Sequence, residues 1–334
     1  MRNVDMAHVA KSAGVSTTTV SRVINDVSTV SEENRRRVLE AIKRLKYHPN
    51  PNAQRLASGR NDTIGLIIPR FADMFRSFHV SELLKGVGMA TDRWKLDVLL
   101  HVTDGRSFIN LANVAAVIFA DIDGNEDQLD RVMNQEVPCV VTHHYVKELP
   151  VSCVAVDNLT ASERVVAYLA DLGHRDIATI TGHLRTPIGI DRLNGYLKAM
   201  HARSLPVKPH FVQRGDYSGS SAKEPAKLLL THPDRPTAIF AASDEMAVTT
   251  MEVAFGLGLR VPEDLSIVGF DDSPIAAFAK VPLTTVWQSL SQIGELSVEI
   301  LYKLINGKTR HPVKTLLGTK LVERQSCRAT WLER

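Results

Sequence analysis

Residues 9–25, with the sequence VAKSAGVSTTTVSRVIN, predict two short helices joined by a tight turn. Gly14 can close the turn, and Ser16 is a favoured N-cap for the helix that follows. Apolar residues recur at helical spacing on both sides of the turn: Met6, Val9, Ala10 and Ala13 before it, and Val20, Val23 and Ile24 after it. We therefore expect the two helices to pack together through these apolar faces.

A third helix is predicted from Ser31 onward. Ser31 is a good N-cap, and Glu32 and Glu33 fall in the first turn, where the helix dipole favours negative charge. This helix should bury Val38, Leu39, Ile42 and Leu45, and it should expose Arg35, Arg36, Arg37, Lys43 and Arg44. The sequence thus predicts a compact three-helix head over residues 1–48.

Positive charge is concentrated at this end of the chain. The 334 residues carry a net charge of +3, but residues 1–60 hold 11 Lys and Arg against 5 Asp and Glu, a net of +6. Residues 61–334 hold 29 against 32, a net of −3. A basic head on a slightly acidic body is suited to neutralising phosphates with release of counterions. Taken alone, the charge would be explained by a solvated surface.

Residues 49–60 form a candidate linker in the stretch HPNPNAQRLASGRND. Asn50 as N-cap and Pro51 at the first helical position predict one more short helix, which ends near Ala57. An isolated helix needs about 12 to 15 residues to be stable in water. We therefore expect this hinge helix to depend on a partner for its order.

From Thr63 onward, short apolar runs alternate with stretches of helical length. Seven runs indicate parallel strands buried on both faces: TIGLIIP, LDVLLHV, VAAVIFA, VPCVVTH, DIATITG, TAIFAAS and LSIVGFD. The predicted fold class of residues 61–334 is α/β, with doubly wound parallel sheets in two lobes. The first lobe would comprise about 61–157 plus 288–318, and the second about 158–287 plus 319–334. Only Thr103–Asn113 separates two of the strands, so the helix there should be about one turn long.

The composition excludes a membrane-spanning protein and favours a cytoplasmic one. The longest apolar run, Val114–Ala120, is far shorter than the about 20 residues that a bilayer requires. Charged residues interrupt the N-terminal segment where a secretory signal would be apolar. Cys139, Cys153 and Cys327 have neither disulfide-framework nor zinc-site spacing, so we expect buried free thiols, with no metal and no cofactor.

The second helix presents side chains that can read DNA in a major groove. Arg22 can bind a guanine edge bidentately, and Thr17 and Thr18 can offer a methyl or a hydroxyl to other base edges. Neighbouring residues suit phosphate oxygens, which fix the register of a helix on DNA: Ser16, Thr19, Ser21 and Asn25. The alternative is a capped surface helix without a DNA partner.

Two segments, VAKSAGVSTTTVSRVIN and VSEENRRRVLEAIKRLKYHPNPNAQRLASG, resemble the DNA-binding head and hinge of the lactose-repressor (LacI/GalR) family of bacterial transcription regulators. The resemblance implies that Thr17, Thr18 and Arg22 contact bases and that Thr29 joins the phosphate contacts. It also implies a homodimer on a pseudo-palindromic operator. In this family a hinge leucine wedges into the minor groove, and Leu56 has that position here.

The body resembles the periplasmic-sugar-binding fold with which this family senses small molecules, through landmarks such as DRLNGY, ASDEMA, VPEDLSIVGFDD and PLTTVWQ. The resemblance implies that Arg192, Asp271 and Tyr217 bind an effector between the lobes. Strand ends add three further candidates: Ser243, Asp244 and His144. The structural alternatives are a surface ion pair for Arg192, a helix cap for Asp271 and packing for Tyr217. We expect a sugar or sugar derivative whose binding closes the cleft and changes operator affinity.

Two features depart from the usual family pattern. The loop between Pro69 and Lys85 is a few residues longer than is common, and the crossover at Thr103–Asn113 is shorter. His144 stands where many sugar-responsive members have an aspartate. These differences lie in the first lobe, so the identity of the effector stays open.

The alternative function is an α/β enzyme acting on a sugar-like or nucleotide substrate, with a head that binds DNA non-specifically. The chain has no G-x-G-x-x-G after a strand, no G-x-S-x-G and no H-E-x-x-H, so we expect a regulator. His143 and His144 are adjacent and should point to opposite sides of a strand, which does not suit a metal site. After the last predicted strand only CRATWLER remains, too short for a helical bundle, which favours a dimer over a tetramer.

Overall fold

The structure of the protein, a computed structural model, describes residues 5–24, 27–47, 61–71, 74–145 and 149–330. The chain folds as two compact units, Met1–Asn61 and Asp62–Arg334, called here the head and the body. Asn25 and the predicted hinge helix with Leu56 lie outside the described residues. None of the described helices is long and apolar enough to cross a membrane.

Three helices form the head: α1 (Met6–Ala13), α2 (Thr17–Ile24) and α3 (Glu32–Leu45). The predicted turn is confirmed, since Gly14 ends α1 with a φ of 65° and the Ser16 hydroxyl accepts a hydrogen bond from the Thr19 amide at 3.1 Å. Ser31 caps α3 in the same way, through the amide of Asn34. The helices enclose one core, which consists of Val9, Ala10, Ala13, Val20, Val23, Val38 and Ala41.

Leu39 is not part of this core, and its predicted burial is wrong. Its side chain is 52% exposed, because it lies about 100° around the helix from Val38. Three basic side chains of α3 donate hydrogen bonds to carbonyl oxygens within the head. Arg35, which was expected to be exposed, is half-buried and donates to that of Val27 at 3.1 Å. Arg37 donates to the carbonyl oxygen of Gly14 at 3.4 Å, and Arg44 donates to that of Ser12 at 3.2 Å.

The body alternates strands and helices along the chain. It begins with β1 (Thr63–Pro69), α4 (Phe78–Trp94), β2 (Asp97–Thr103), β3 (Ala116–Phe119), α5 (Glu126–Asn134), β4 (Cys139–Thr142) and β5 (Ser152–Val156). It continues with α6 (Asn158–Asp171), β6 (Ile177–Thr181), α7 (Pro187–Ala202), β7 (Val212–Arg214), α8 (Gly219–Thr231), β8 (Ala238–Ala241), α9 (Asp244–Gly256), β9 (Ser266–Val268), α10 (Pro274–Phe278) and β10 (Thr285–Trp287). It ends with α11 (Leu290–Ile305), β11 (Lys314–Leu317) and β12 (Lys320–Val322).

Two parallel sheets define the two lobes of the body. The first lobe contains the sheet β11-β5-β4-β3-β1-β2, and the second contains the sheet β7-β6-β8-β9, while β10 and β12 form an antiparallel pair. Helices α4 and α11 pack against the first sheet, so closely together that a Cβ atom at Gly86 would collide with the carbonyl oxygen of Ser291. The chain passes between the lobes at residues 156–158, 287–290 and 317–320. These crossings place the ends of several strands from both lobes along one cleft.

The seven predicted strands are all present, and the short crossover is confirmed as a single 3-10 turn, Leu111–Asn113. The predicted burial of LDVLLHV on both faces is wrong. This run forms β2, at the edge of its sheet, and Val98, Leu99 and Leu100 are 37 to 39% exposed. An apolar run does not reveal whether a strand is central or at an edge. The cysteines are free, as expected, although Cys327 is only half-buried.

Candidate functional site

The outer face of α2 carries the residues predicted to read bases. Thr17, Thr18 and Arg22 are exposed, whereas Val20 and Val23 on the opposite face enter the head core. Within the described residues, the side chains of Thr17, Thr18 and Arg22 take part in no hydrogen bond or ion pair. This face of the helix is therefore available to a partner molecule.

The residues predicted to bind phosphates surround this face. Ser16 is exposed, and its hydroxyl lies 3.0 Å from that of the half-buried Thr19. Ser21 is half-buried within α2, and Thr29 is exposed in the turn before α3. Their hydroxyls lie at the beginning and along the side of α2, where a DNA backbone would pass if the helix entered a groove.

In the body, Arg192 lies at the centre of a buried polar cluster. It projects from α7 and is only 2% exposed. Its Nε donates to Oδ1 of Asn158 at 2.9 Å, and its Nη1 donates to the carbonyl oxygen of Ala242 at 2.6 Å. The guanidinium carbon lies 3.6 Å from the centre of the Phe270 ring. The alternative of a surface ion pair is therefore wrong, because Arg192 is held rigidly inside the second lobe.

Asp271 follows β9 and faces this arginine. Its Oδ1 lies 3.5 Å from Nη2 of Arg192 and accepts a hydrogen bond from Nε2 of Gln288 at 2.6 Å. Its Oδ2 has no hydrogen-bond partner within the described part of the chain. Burial raises the pKa of the Asp271 carboxyl to about 7, although Arg192 and Gln288 oppose this rise. Asp271 can therefore accept a hydrogen bond from a ligand hydroxyl through Oδ2.

Tyr217 forms one wall beside Arg192. Its ring packs where a Cβ atom at Gly182 would collide with it, and its hydroxyl lies 3.1 Å from that of Thr186. The ring centre is 5.8 Å from the guanidinium carbon of Arg192. Gly182 thus makes room for an aromatic surface at the edge of the polar cluster.

Backbone conformation marks the same region. Several non-glycine residues in the described ranges have a positive φ, and Lys46, Lys95, Glu136 and Ser204 do so just after helices. The others follow strands or lie in loops of the body: His143 at 63°, Tyr217 at 77°, Asp271 at 113° and Asp272 at 52°. Such conformations cost about 1 to 3 kcal/mol each and concentrate at functional sites. This backbone strain is a second observation, separate from side-chain chemistry, that marks the cleft as a candidate functional site.

Ser243 and Asp244 have structural partners. The Ser243 hydroxyl caps α9 by accepting from the Met246 amide at 3.2 Å, and it donates to the carbonyl oxygen of Tyr217 at 2.7 Å. The Asp244 carboxylate accepts from the amide and hydroxyl of Ser273 and from the hydroxyl of Thr285. Asp244, and not Asp271, therefore accepts the hydrogen bonds from Ser273, the residue that precedes α10. The helix-cap alternative for Asp271 is wrong.

His144 follows β4 directly after His143, and acidic groups from both lobes lie near it. Its Nδ1 is buried without a hydrogen-bond partner. Burial lowers the pKa of His144, while Asp121 of the first lobe and Asp191 of the second raise it. Burial also raises the pKa of both carboxyl groups. No group of three His, Cys, Asp or Glu side chains among the described residues is arranged to hold a metal ion.

Four residues of the cluster were not predicted from the sequence: Asn158, Gln288, His79 and His143. Asn158 and Gln288 both lie at the chain crossings between lobes, and Gln288 is the last residue of the landmark PLTTVWQ. His79 begins α4 and lies 3.7 Å from Asp271, measured from its Nε2 to Oδ1. The ring of His143 is 5.8 Å from that of His79. No pattern in the sequence distinguished these two histidines from surface ones.

Sequence comparisons match both units of the chain. Residues 5–50 match a family described as "Bacterial regulatory proteins, lacI family", and residues 166–327 match "Periplasmic binding protein-like domain". Catabolite control protein A of Priestia megaterium is 33% identical, over 97% of this chain and 99% of its own length. The transcriptional repressor CytR of Escherichia coli K12 is 32% identical, over 97% of this chain and 96% of its own.

Solved structures agree with this assignment. A lac repressor dimer bound to operator and the anti-inducer ONPF has a TM-score of 0.86 and 28% identity, and the match covers 98% of this chain and 100% of that one. A CelR–cellobiose complex has a TM-score of 0.72 and 32% identity, with coverage of 97% and 99%. A helix-turn-helix head joined to a two-lobed body with a polar cleft defines a DNA-binding transcriptional regulator. The chain belongs to the LacI family of bacterial regulatory proteins.

Proposed function

We propose that this regulator binds a pseudo-palindromic operator in the cytoplasm as a homodimer and represses a carbohydrate-utilisation operon. The observation that carries the DNA-binding part is the exposed face of α2, a capped helix, where the side chains of Thr17, Thr18 and Arg22 have no partner among the described residues. Ser16, Thr19, Ser21, Asn25 and Thr29 would bind phosphates, and Leu56 would enter the minor groove from the hinge over residues 49–60.

Selection of bound sequences from random duplex DNA tests this proposal. The purified protein is incubated with the duplex pool at near-physiological salt, and bound DNA is amplified over several rounds. The expected product is a pseudo-palindrome, since a two-fold symmetric dimer presents two copies of α2. Enrichment without a common sequence, lost as salt rises, would reduce the head to a generic basic module.

The effector site of this proposal lies between the lobes and takes a neutral, hydroxyl-rich molecule. Asp271 offers as an acceptor its Oδ2, which has no hydrogen-bond partner in the part of the chain that the structure describes. Arg192 offers charge on a fixed guanidinium, and Tyr217 offers a ring face on which a sugar can stack. Because Arg192 already faces Asp271, the pair brings little net charge, which favours a neutral ligand over an anion. His144 would lie at a second edge of the site, while Ser243 and Asp244 would support it from behind.

Thermal unfolding in the presence of sugars tests the effector proposal. The panel includes cellobiose, which is present in the similar CelR complex, with other mono- and disaccharides and sugar acids. A ligand that binds only the folded protein raises the unfolding temperature, and the stabilisation grows with the logarithm of its concentration relative to its Kd. Stabilisation by a neutral sugar supports the proposal, and stabilisation by sugar acids alone would contradict the preference for a neutral ligand.

The homodimer would use apolar surfaces that the body leaves exposed. Val98, Leu99 and Leu100 form an apolar stretch on β2, an edge strand, and Phe278 at the end of α10 is 88% exposed. Edge strands with apolar side chains are usually covered by a partner, because they otherwise promote aggregation. Sedimentation velocity should give twice the mass of the chain, and a monomer at micromolar concentration would contradict this part of the proposal.

A further inference from the structure

A chain of hydrogen bonds joins the two lobes across the cleft. Nε2 of Gln288, which lies at a chain crossing, donates to Oδ1 of Asp271 in the second lobe at 2.6 Å. The same nitrogen lies 3.2 Å from Nε2 of His79, which is at the start of α4 in the first lobe. We call His79, Gln288 and Asp271 the cleft latch.

The latch defines the protonation state of His79. An amide nitrogen has two N–H donors and no acceptor, so Nε2 of His79 must accept the hydrogen bond from Gln288. The imidazole is therefore neutral, with its proton on Nδ1. A protonated imidazole would place an N–H against the amide N–H and break this link.

The charges around the latch also disfavour a cation at His79. Arg192 already neutralises Asp271, and His143 is the next ring, at 5.8 Å from His79. Burial, and then Arg192, lower the pKa of His79 from 6.5 to about 3. Burial, His79 and Arg192 lower that of His143 to about 3. A cation at His79 would have to share the Asp271 carboxylate with Arg192, since Oδ1 of Asp271 lies 3.7 Å from Nε2 of His79 and 3.5 Å from Nη2 of Arg192.

Two further carboxyl groups face the latch from the second lobe. Glu245 raises the pKa of Asp271, and Asp271 in turn raises that of Asp244. Asp244 is fully hydrogen-bonded within its own lobe, so its environment does not depend on the first lobe. The groups that change surroundings when the lobes separate are therefore His79, His143 and Asp271 at the latch. His144 changes surroundings as well, together with Asp121 of the first lobe and Asp191 of the second.

We propose that His79 is a positioning residue of the effector site, which holds the lobes closed in its neutral form and lets them open when it is protonated. In the closed form it fixes Gln288, which in turn fixes Oδ1 of Asp271 and leaves Oδ2 for the ligand. Effector affinity should then fall with acid, and this consequence alone rests on the proposed function. The opening of the lobes is a property of the free protein.

The size of the effect follows from linkage between protonation and closure. If His79 regains its ordinary pKa of 6.5 when the lobes separate, the closed-to-open ratio falls about tenfold between pH 7.5 and pH 5.5. A base whose pKa is lower in the closed form binds a proton more readily in the open form, so acid favours the open form. Asp271 responds in the opposite sense, because burial raises its pKa, and its response must be measured separately.

The experiment measures the distance between one exposed position on each lobe. Glu126→Cys in the first lobe and Arg185→Cys in the second carry spin labels, and labelled chains are diluted with unlabelled protein so that only distances within one chain contribute. Double electron–electron resonance at pH 7.5 and pH 5.5 gives the fractions of closed and open protein. No effector and no DNA are added, so a failure here is distinct from a failure of operator selection.

Two substitutions separate the role of His79 from a merely structural one. His79→Gln keeps a neutral acceptor near the place of Nε2 and should open about tenfold less with acid than the wild type, and its remaining pH response is that of the other titratable groups between the lobes. His79→Leu removes the acceptor and should be less closed than the wild type at pH 7.5, and its remaining pH response is that of Asp271 and His143. The matched control is His201→Gln, at an exposed histidine near the end of α7, which should open with acid as the wild type does.

The proposal is supported if acid lengthens the distance in the wild type and in His201→Gln, and if the closed-to-open ratio of His79→Gln falls about tenfold less than theirs. It is overturned if His79→Gln opens with acid as far as the wild type. It is also overturned if acid shortens the distance in the wild type, because His79 would then form an ion pair with Asp271.

Discussion

Replacement of Arg192 by methionine should destabilise the body strongly, because it leaves a buried carboxylate without its cation. The guanidinium is 2% exposed and contacts Asp271, Asn158 and the carbonyl oxygen of Ala242. Removal of one partner of a buried ion pair costs about 3 to 5 kcal/mol. We expect Arg192→Met to lower the free energy of unfolding in urea by that amount at pH 7.5, followed by circular dichroism.

The matched control is an arginine–aspartate pair at the surface. Arg203 lies 2.7 Å from Asp171, with side chains 36% and 68% exposed, and follows the same helix, α7. Arg203→Met should cost less than about 1 kcal/mol, since solvent screens exposed pairs. A loss for Arg192→Met that is no larger than this control would refute the assignment of Arg192 as the buried centre of the cluster.

The pH dependence of Arg192→Met provides a second check. Burial already raises the pKa of Asp271 to about 7, and without Arg192 nothing positive opposes this rise at close range. A carboxyl whose pKa is raised by folding stabilises the fold at low pH and loses that contribution as pH rises through the raised value. The difference in free energy of unfolding between the wild type and Arg192→Met should therefore become smaller as pH falls from 8 to 5.

The double variant Arg192→Met, Asp271→Asn should be more stable than Arg192→Met at pH 8. An equal free energy of unfolding for these two variants at pH 8 would contradict the argument.

Three further substitutions test separate parts of the account. Arg22→Ala should weaken binding to the selected operator by about 1 to 3 kcal/mol in a fluorescence anisotropy titration and leave non-specific binding unchanged. An equal loss of affinity for operator and for unrelated DNA would show that Arg22 does not contact bases specifically. Gly182→Ala should displace the Tyr217 ring and lower effector affinity at least about tenfold by calorimetry, with operator binding intact; unaltered affinity would exclude Tyr217 from the site. Phe278→Asp should shift sedimentation from dimer toward monomer, because a charge would enter an apolar contact, and an unchanged dimer would place the interface elsewhere.

Helix caps and apolar spacing were sufficient to predict the head. Gly14 and Ser16 are local signals, and the turn they form depends on a few neighbouring residues. Leu39 was assigned wrongly because it is adjacent to the true apolar stripe of α3, and sequence spacing locates such a stripe only approximately. The hinge with Leu56 stays a prediction.

The strands of the body were predictable as runs, but their places in the sheets were not. Parallel strands pair across long sequence separations, so the edge position of β2 follows from the assembled sheet order. Short strands such as β7 and β12 lack an apolar run of their own and form by pairing with strands already in place.

The site was partly predictable for a similar reason. Arg192, Asp271 and Tyr217 were predictable because their positions match effector-binding positions of the family that the sequence resembles. His79 and Gln288 are 209 positions apart in the sequence, and their contact joins the first lobe to a chain crossing between the lobes. Sequence spacing carries no information about such a contact.

The most direct test of the central claim is the operator affinity of the wild-type protein with and without a stabilising sugar. The selected duplex is labelled, and its Kd is measured by anisotropy at fixed salt over a range of sugar concentrations. An allosteric regulator should change its Kd by a coupling free energy of about 1 to 3 kcal/mol, with the same coupling seen in sugar affinity when DNA is present. A sugar that binds the protein tightly and leaves the Kd for operator unchanged would contradict the claim that the cleft controls the head.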